Sequence, residues 1–324
     1  MTGSVECHPS ESTRLGPIAI VIVSYNTRDM TLCCLESIDA DRGDLDVQVI
    51  VVDNDSADGS SEAIKAQFPK VTVIDSGANL GFARAVNLAV AQTDPGVDVL
   101  LLNPDAVLHP GTIRALAEAA RTHPERGLFG GRVLFPDGTV NTTTARRRPT
   151  LWALVCHASM LTTVLPRFRA TAPSAYASWD RTTDREVEVL SGALLYITRA
   201  AWDQLGGFGD HYFLYGEDSD LCQRATKLGY QPWFVAAAEI SHAQGSSSKD
   251  SARKIILMRT GECTMLHDHW SGLRLRIGLA LLQGAAGMRA LAARCGGSSD
   301  VDWAQVWSER RVWAAGFSRS RNST

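Results

Sequence analysis

The first half of the chain alternates short apolar runs with longer amphipathic stretches. Ile18-Ala-Ile-Val-Ile-Val23 is apolar and mostly β-branched, and helical spacing follows from about Arg28 to Ile38. The pair then recurs. Val47 to Val52 precedes a helix near Ser61 to Phe68, Val71 to Ile74 precedes Phe82 to Ala91, and Val97 to Leu102 precedes Thr112 to Arg121. Runs apolar on both faces, alternating with helices, predict a parallel sheet covered on each side. Three of the runs stop abruptly in polar groups: Ser24-Tyr25-Asn26, Asp53-Asn54-Asp55-Ser56 and Asn103-Pro104-Asp105. Ligands of open α/β sheets bind outside the carboxyl ends of the strands. Such residues also cap helices and make turns, which would explain any one of these loops. Three of them on one edge point to a site.

The second half has a different texture. Residues 127–142 suggest a strand and a turn at Pro136-Asp-Gly138, and residues 143–186 are irregular, with basic Arg146-Arg147-Arg148. Val187 to Thr198 is strand-like, and Ala200 to Leu205 is a short helix closed by Gly206-Gly207. Another helix starts near Glu217 and ends at Gly229, a residue suited to closing a helix. From about Lys249 the pattern is mostly helical. There Leu273, Ile277, Leu281, Met288 and Leu291 form an apolar stripe among Arg274, Arg276, Arg289 and Arg294. A basic amphipathic helix of this kind lies on an anionic membrane surface, packs on the preceding domain, or meets a partner subunit, as in a homodimer.

Composition narrows the class. Of 324 residues, 45% are hydrophobic and 21% charged, which is ordinary for a globular protein. The net charge of −3 gives no argument for nucleic acid as a partner. Cysteines at 7, 33, 34, 156, 222, 263 and 295 form no ligand-like spacing and suit a reducing compartment. Residues 1–16 are polar and read as a disordered tail rather than a signal peptide. The expected localisation is cytoplasmic, peripheral at the inner face of the plasma membrane if the basic helix lies on lipid.

No GxGxxG follows the first strand, and no GxxxxGK[ST], HExxH or GxSxG occurs. A dinucleotide oxidoreductase, a P-loop enzyme, a zincin and an α/β-hydrolase lose support. What remains is rich in carboxylates, which bind a diphosphate only through a bridging divalent cation. Asp105, in a loop shaped by Pro104, is the best candidate ligand. A second acidic centre is Glu217-Asp218-Ser-Asp220. On a helix Asp218 shares a face with Leu221, Cys222 and Ala225, and is expected to point inward; Glu217 lies about 100° away, off the buried stripe. An inward carboxylate beside a cleft suits a general base, and an acid in a first helical turn also suits the macrodipole.

Five segments in this order resemble family 2 glycosyltransferases of the GT-A fold, nearest the bacterial rhamnosyltransferase-like branch. They are Val21-Ile-Val-Ser-Tyr-Asn26, Val51-Val-Asp-Asn-Asp-Ser-Ala-Asp-Gly59, Asn79-Leu-Gly-Phe-Ala-Arg-Ala-Val-Asn87, Leu101-Leu-Asn-Pro-Asp105 and Gly216-Glu-Asp-Ser-Asp-Leu221. The resemblance spans roughly residues 17–243. It implies a catalytic domain over 17–245, with a nucleotide-binding half at 17–125 and an acceptor-binding half at 126–245, then a helical C-terminal region at 246–324. The implied sheet is Rossmann-like, mostly parallel and flanked by helices. The implied reaction is an inverting transfer of a sugar, most plausibly rhamnose from dTDP-rhamnose, to a hydroxyl of a glycan or lipid-linked acceptor.

Carried over residue by residue, Asp53 would contact the pyrimidine base, with the backbone at Val23 and Tyr25 lining its pocket. Asn79 and Arg84 would hold the nucleotide or its phosphates. Asp105 would bind Mg2+ or Mn2+ as the second acid of a DxD motif. Its first position here is Asn103, a donor-side residue that removes one charge from the metal site. Asp218 would be the catalytic base and His242 would complete the metal shell. Glu217 and Trp233 would be acceptor or sugar contacts, with packing the other reading of Trp233. Two competing functions stay open: a nucleotidyltransferase, and a nucleotide- or carbohydrate-binding protein on a degenerate transferase scaffold.

Overall fold

A computed structural model describes residues 15–161, 174, 176, 178–242, 251–295 and 300–317. The expected tail, apart from its last two residues, and the expected boundary at 245 lie outside the described residues. The first half runs β1 (Ile18–Ser24), α1 (Arg28–Asp41), β2 (Val47–Asp53), α2 (Ser60–Gln67), β3 (Thr72–Asp75) and α3 (Phe82–Val90). It continues through β4 (Asp98–Leu102), β5 (Ala106–Leu108), α4 (Thr112–Thr122) and β6 (Leu128–Leu134). Next come β7 (Ala145–Arg146), α5 (Leu151–Ala158), β8 (Arg185–Glu186), β9 (Val189–Leu190) and β10 (Leu194–Ile197). The rest is α6 (Arg199–Leu205), α7 (Glu217–Lys227), β11 (Trp233–His242), α8 (Ser251–His269), α9 (Gly272–Arg294), α10 (Trp303–Ser308) and α11 (Arg310–Ala315).

Among the described residues one nine-stranded sheet has the order β3-β2-β1-β4-β10-β6-β11-β5, with β8 also beside β11. Strands β1, β2, β3, β4, β6 and β11 point one way, and β5, β8 and β10 the other. The sheet is therefore mostly parallel, as expected. Alternation along the strands decides which core each side chain enters. Val21, Val23, Ile50, Val52 and Leu101 face one side, under α3, α6 and α7. Ile20, Ile22, Val51, Leu100 and Leu102 face the other, under α1, α2 and α4. Both faces are covered, which is why these strands carry no polar alternation.

Register gathers the polar strand ends. Ser24 pairs with Asp53, and Asp53 with Asp75. Val21 pairs with Leu101, so Asn103 and the residues after it emerge at the same edge. Short β5, which the sequence pattern does not announce, pairs Ala106 with His242 at the far end of β11. The expected single strand at 187–198 is broken into β9 and β10. β9 pairs with β7 in a separate ribbon while β10 enters the main sheet. Gly192 between them lies under the Phe82 ring, within 3.6 Å of where a Cβ would stand.

The C-terminal helices join the core beneath α7 through Cys263, Leu266, Leu282, Val306 and Trp313. α9 packs by Gly278, Leu282, Ala285, Ala286 and Ala290 rather than by the stripe singled out from sequence. Small residues allow that approach: Gly278 abuts the Trp270 ring and Gly287 the Trp307 ring. Leu273, Ile277, Met288 and Leu291 face outward while Leu281 is half-buried against the core, so α9 does pack on the rest of the fold, but by its small-residue face rather than by this stripe.

Candidate active site

Two loops at the sheet edge are sewn together by their own polar groups. Ser24, Thr27 and Thr31 share hydroxyl hydrogen bonds of 3.1–3.2 Å at the exit of β1. Asn26 and Asp55 take left-handed conformations (φ 53° and 68°), which Asn and Asp tolerate better than most residues. Asn26 donates its backbone N–H to Ser56 Oγ at 3.0 Å, and its Oδ1 accepts from Ala57 N at 2.8 Å. The result holds Val23 and exposed Tyr25 beside Asp53. Asp53 is buried, with Oδ2 accepting from Ser56 N at 3.0 Å. Its Oδ1 is buried without a partner. An ionised oxygen in that state is costly unless something donates to it.

Asn54, not singled out from sequence, organises the adjoining loop. Its Nδ2 donates to Asn79 Oδ1 at 3.0 Å and its Oδ1 accepts from Leu80 N at 2.9 Å. Asn79 also accepts from Gly81 N at 3.0 Å, so its amide shapes the loop before α3. Gly81 (φ 78°) must be glycine for a second reason: a Cβ would collide with the Phe213 carbonyl. Arg84, in the first turn of α3, donates from Nε to the Asp210 carbonyl at 2.7 Å and thereby ties α3 to the segment leading into α7.

Asn103, Asp105 and His242 converge as the sequence predicted. His242 Nε2 lies 2.8 Å from Asp105 Oδ1 and 3.0 Å from Asn103 Nδ2. One imidazole nitrogen cannot donate to the carboxylate and accept from the amide at once. Turning the Asn103 amide places Oδ1 there, and three electron-pair donors then face one point. Oxygen and imidazole donors suit Mg2+ or Mn2+ in that position. The site fits a divalent cation, with Asn103 in place of an acid. Among the described residues no group of three His, Cys, Asp or Glu is set to hold a metal.

The acidic turn departs from expectation. Glu217, expected off the buried stripe, is buried, and its Oε2 has no partner. α8 closes over this turn: Gly261 meets the Tyr215 carbonyl so closely that no Cβ fits. Burial first, then the neighbouring Asp218 charge, push the Glu217 carboxyl up to about 8. Asp218 is the carboxylate of this turn with the most solvent contact, its side chain 15% exposed. Asp220 is engaged structurally, with Arg224 and His269 each 2.8 Å away. The phenol of Tyr215 (φ 69°) is pushed up by burial, then by the charges of Glu217 and Asp105.

Arg146 is the residue sequence reasoning missed. Its Nη2 lies 3.3 Å from Asp218 Oδ1 and donates to Ser219 Oγ at 2.9 Å. The β7–β9 ribbon carries it there. Its only sequence signal was the run Arg146-Arg147-Arg148. Trp233 is not brought to the site: it begins β11, nine residues and about 30 Å of strand from His242. There it stacks on His123 and under Arg126, a packing role.

The model of glycosyl transferase family 2 matches residues 19–178. The chain is 35% identical over 237 residues to an N-acetylglucosaminyl-diphospho-decaprenol L-rhamnosyltransferase of Mycobacterium tuberculosis, covering 70% of this chain and 76% of that one. It is 27% identical over 235 residues to rhamnosyltransferase WbbL of Escherichia coli, covering 69% and 83%. Among solved structures it resembles mannosyltransferase PcManGT from Pyrobaculum calidifontis in complex with GDP-Man and Mn2+. That likeness has a TM-score of 0.54 at 18% identity, over 95% of this chain and 87% of the other. GalNAc-T7 with UDP, GalNAc and Mn2+ superposes with a TM-score of 0.59 at 12% identity, over 96% and 60%.

Proposed function

The chain belongs to glycosyl transferase family 2 and has the GT-A fold, and from that premise we propose that it moves rhamnose from dTDP-rhamnose to a lipid-linked acceptor, inverting the anomeric centre. The observation that carries this reading is the convergence at one sheet edge of three groups. They are the unpartnered Asp53 oxygen, the Asn103–Asp105–His242 cluster and the Arg146–Asp218 pair. The rhamnosyltransferase relatives supply the sugar, and the name of the mycobacterial one supplies a diphospho-polyprenol acceptor. A nucleotidyltransferase or a binding protein without turnover is not favoured, because neither gives Asp218 and its arginine a task.

Each residue then has one. Asp53 Oδ1 accepts from the imide N–H of the pyrimidine, in a pocket walled by Val23 and Tyr25. Asn79 and Arg84 fix the loop and helix against which the nucleotide rests. Asp105, His242 and Asn103 would hold Mg2+ or Mn2+, which when bound offsets charge on the departing diphosphate. Asp218 removes the proton of the acceptor hydroxyl as its oxygen bonds to the anomeric carbon. The sugar–phosphate bond breaks on the opposite face, its electron pair leaving with the diphosphate. Arg146 holds the Asp218 carboxylate in line. Glu217, protonated and buried, supports that turn from behind and, being closed off from the cleft, is not the sugar contact expected from sequence.

The test is transfer by the full chain from a panel of nucleotide sugars to a polyprenyl-diphosphate acceptor. dTDP-rhamnose is expected to be the preferred donor and the product anomer opposite to the donor's. Chelator should abolish turnover, and Mn2+ or Mg2+ should restore it. Retention of configuration, full turnover in exhaustive chelator, or transfer from none of the donors would overturn the proposal.

A further inference from the structure

The outward face of α9 is a feature that the site leaves unused. Leu273, Ile277, Met288 and Leu291 are exposed, Leu273 and Leu291 at 73% and 63%, with half-buried Leu281 between them. Their spacing of three and four residues keeps them on one line along the helix, about 27 Å long. The buried residues of α9 lie on another side, against α5, α8, α10 and α11, so the stripe is not a leftover of internal packing. Charge is the second observation. α9 carries Arg274, Arg276, Arg289 and Arg294 and no acidic residue. Exposed Arg274, Arg276 and Arg294 flank the stripe at both ends, and the Arg274 guanidinium rests 4.0 Å over the Trp270 ring.

We propose that this face of α9 seats the protein on an anionic lipid surface, lying in the headgroup layer rather than crossing it. An apolar line bordered by arginines matches such a surface on both counts. No helix among the described residues is long and apolar enough to span a bilayer. Placement agrees as well. α9 packs on α5, and α5 begins five residues after Arg146, at most about 17 Å of chain from the Asp218 pair. The choice of a lipid surface over a protein partner rests on the lipid-linked acceptor of the proposed function.

The experiment is sedimentation of the full chain with vesicles of phosphatidylcholine alone and with one third phosphatidylglycerol, without donor or acceptor. Binding is expected only to the anionic vesicles. The double variant Arg274→Gln/Arg276→Gln should bind roughly thirtyfold more weakly, and Leu273→Gln/Leu291→Gln at least about tenfold more weakly. Both variants should transfer to a short-chain, water-soluble acceptor at the wild-type rate. The proposal is overturned if wild type ignores anionic vesicles, binds neutral ones equally, or loses nothing in either variant. A wild-type dimer that the leucine variant dissociates in analytical ultracentrifugation would assign the face to a second copy instead. Vesicle binding without sugar transfer would fail the proposed function and leave this inference standing.

Discussion

Three carboxylates at the sheet edge differ in what surrounds them, and each difference has a measurable consequence. Asp53 presents one satisfied oxygen and one buried oxygen without a partner. A hydrogen bond to a charged group contributes about 1.5–3 kcal/mol. Asp53→Ala should therefore weaken dTDP binding roughly ten- to a hundredfold in calorimetry, with the melting temperature little changed. Unchanged affinity would remove Asp53 from the base pocket. Glu217 titrates in the opposite sense to a paired acid. Unfolded, it ionises near 4.5; folded, it keeps its proton to about 8 because ionising would bury an uncompensated charge beside Asp218. Between those values the folded state holds the extra proton, so stability is full below the window and declines as pH rises through it, at up to about 1.4 kcal/mol per pH unit. Glu217→Gln mimics the protonated form and should flatten that decline, matching wild type near pH 5 and exceeding it near pH 9 in thermal melts. A parallel decline in both proteins would mean that Glu217 is ionised when folded. Asp218 owes its orientation to Arg146, whose Nη2 also holds Ser219. Arg146→Ala should lower kcat about a hundredfold through misplacement of the base, with donor KM nearly unchanged. Arg146→Lys should recover only part of it, since a shorter, freely rotating ammonium does not fix Asp218 and Ser219 together as the planar guanidinium does.

Between the residues and the chain stand a few close contacts that decide where α7 begins. Gly261 of α8 faces the Tyr215 carbonyl, and Gly216 faces the Gly261 backbone in return. Alanine at 261 would add about 1 kcal/mol of helix propensity, yet its Cβ would overlap backbone that cannot swing away. Overpacking costs about 1–3 kcal/mol, so Gly261→Ala should be destabilising on balance in urea melts. It should also lower kcat, because the first turn of α7 carries Asp218. A variant as stable and active as wild type would show that the two elements are not pressed together. This contact also explains what sequence pattern could and could not reveal. Strands β1, β2 and β4 were legible because continuous β-branched runs have few other uses, and their polar ends announced Asp53 and Asp105. The i+3, i+4, i+7 spacing on α7 put Asp218 on the buried stripe and Glu217 off it, whereas in the structure Asp218 keeps the most solvent contact of the turn and Glu217 is buried where α8 closes over it. Arg146 left no periodic trace, because a two-residue strand has no period. Of the two readings of Trp233, sugar contact and packing, the structure gives packing, because Trp233 begins β11 at the end of the strand away from His242.

At the scale of the whole molecule, the C-terminal helices are part of the catalytic fold and not an appendage to it. Cys263, Leu266, Leu282, Val306 and Trp313 share one core with Leu221, Cys222 and Tyr212. Polar contacts fasten the same boundary: His269 lies 2.8 Å from Asp220, and Asp268 takes His211 at 2.7 Å and the Tyr212 hydroxyl at 2.9 Å. A chain ending at residue 245 would keep every strand of the main sheet, so topology alone would allow it to fold. Energetics argue otherwise. Uncovering the α7 side of the core returns several large apolar side chains to water at about 1.5–3 kcal/mol each. It also takes His269 from Asp220 and Asp268 from the Tyr212 hydroxyl. The sum is comparable with the entire stability of a typical domain, about 5–15 kcal/mol. The full chain should therefore melt in a single cooperative transition, and the fragment ending at 245 should show no native-like transition, or one displaced far downward. Nucleotide binding should disappear with it, since α7 and the loop it supports at Phe213 hold Gly81 in place. A fragment that melts within a few degrees of the full chain and still binds dTDP would make the helices a separable domain.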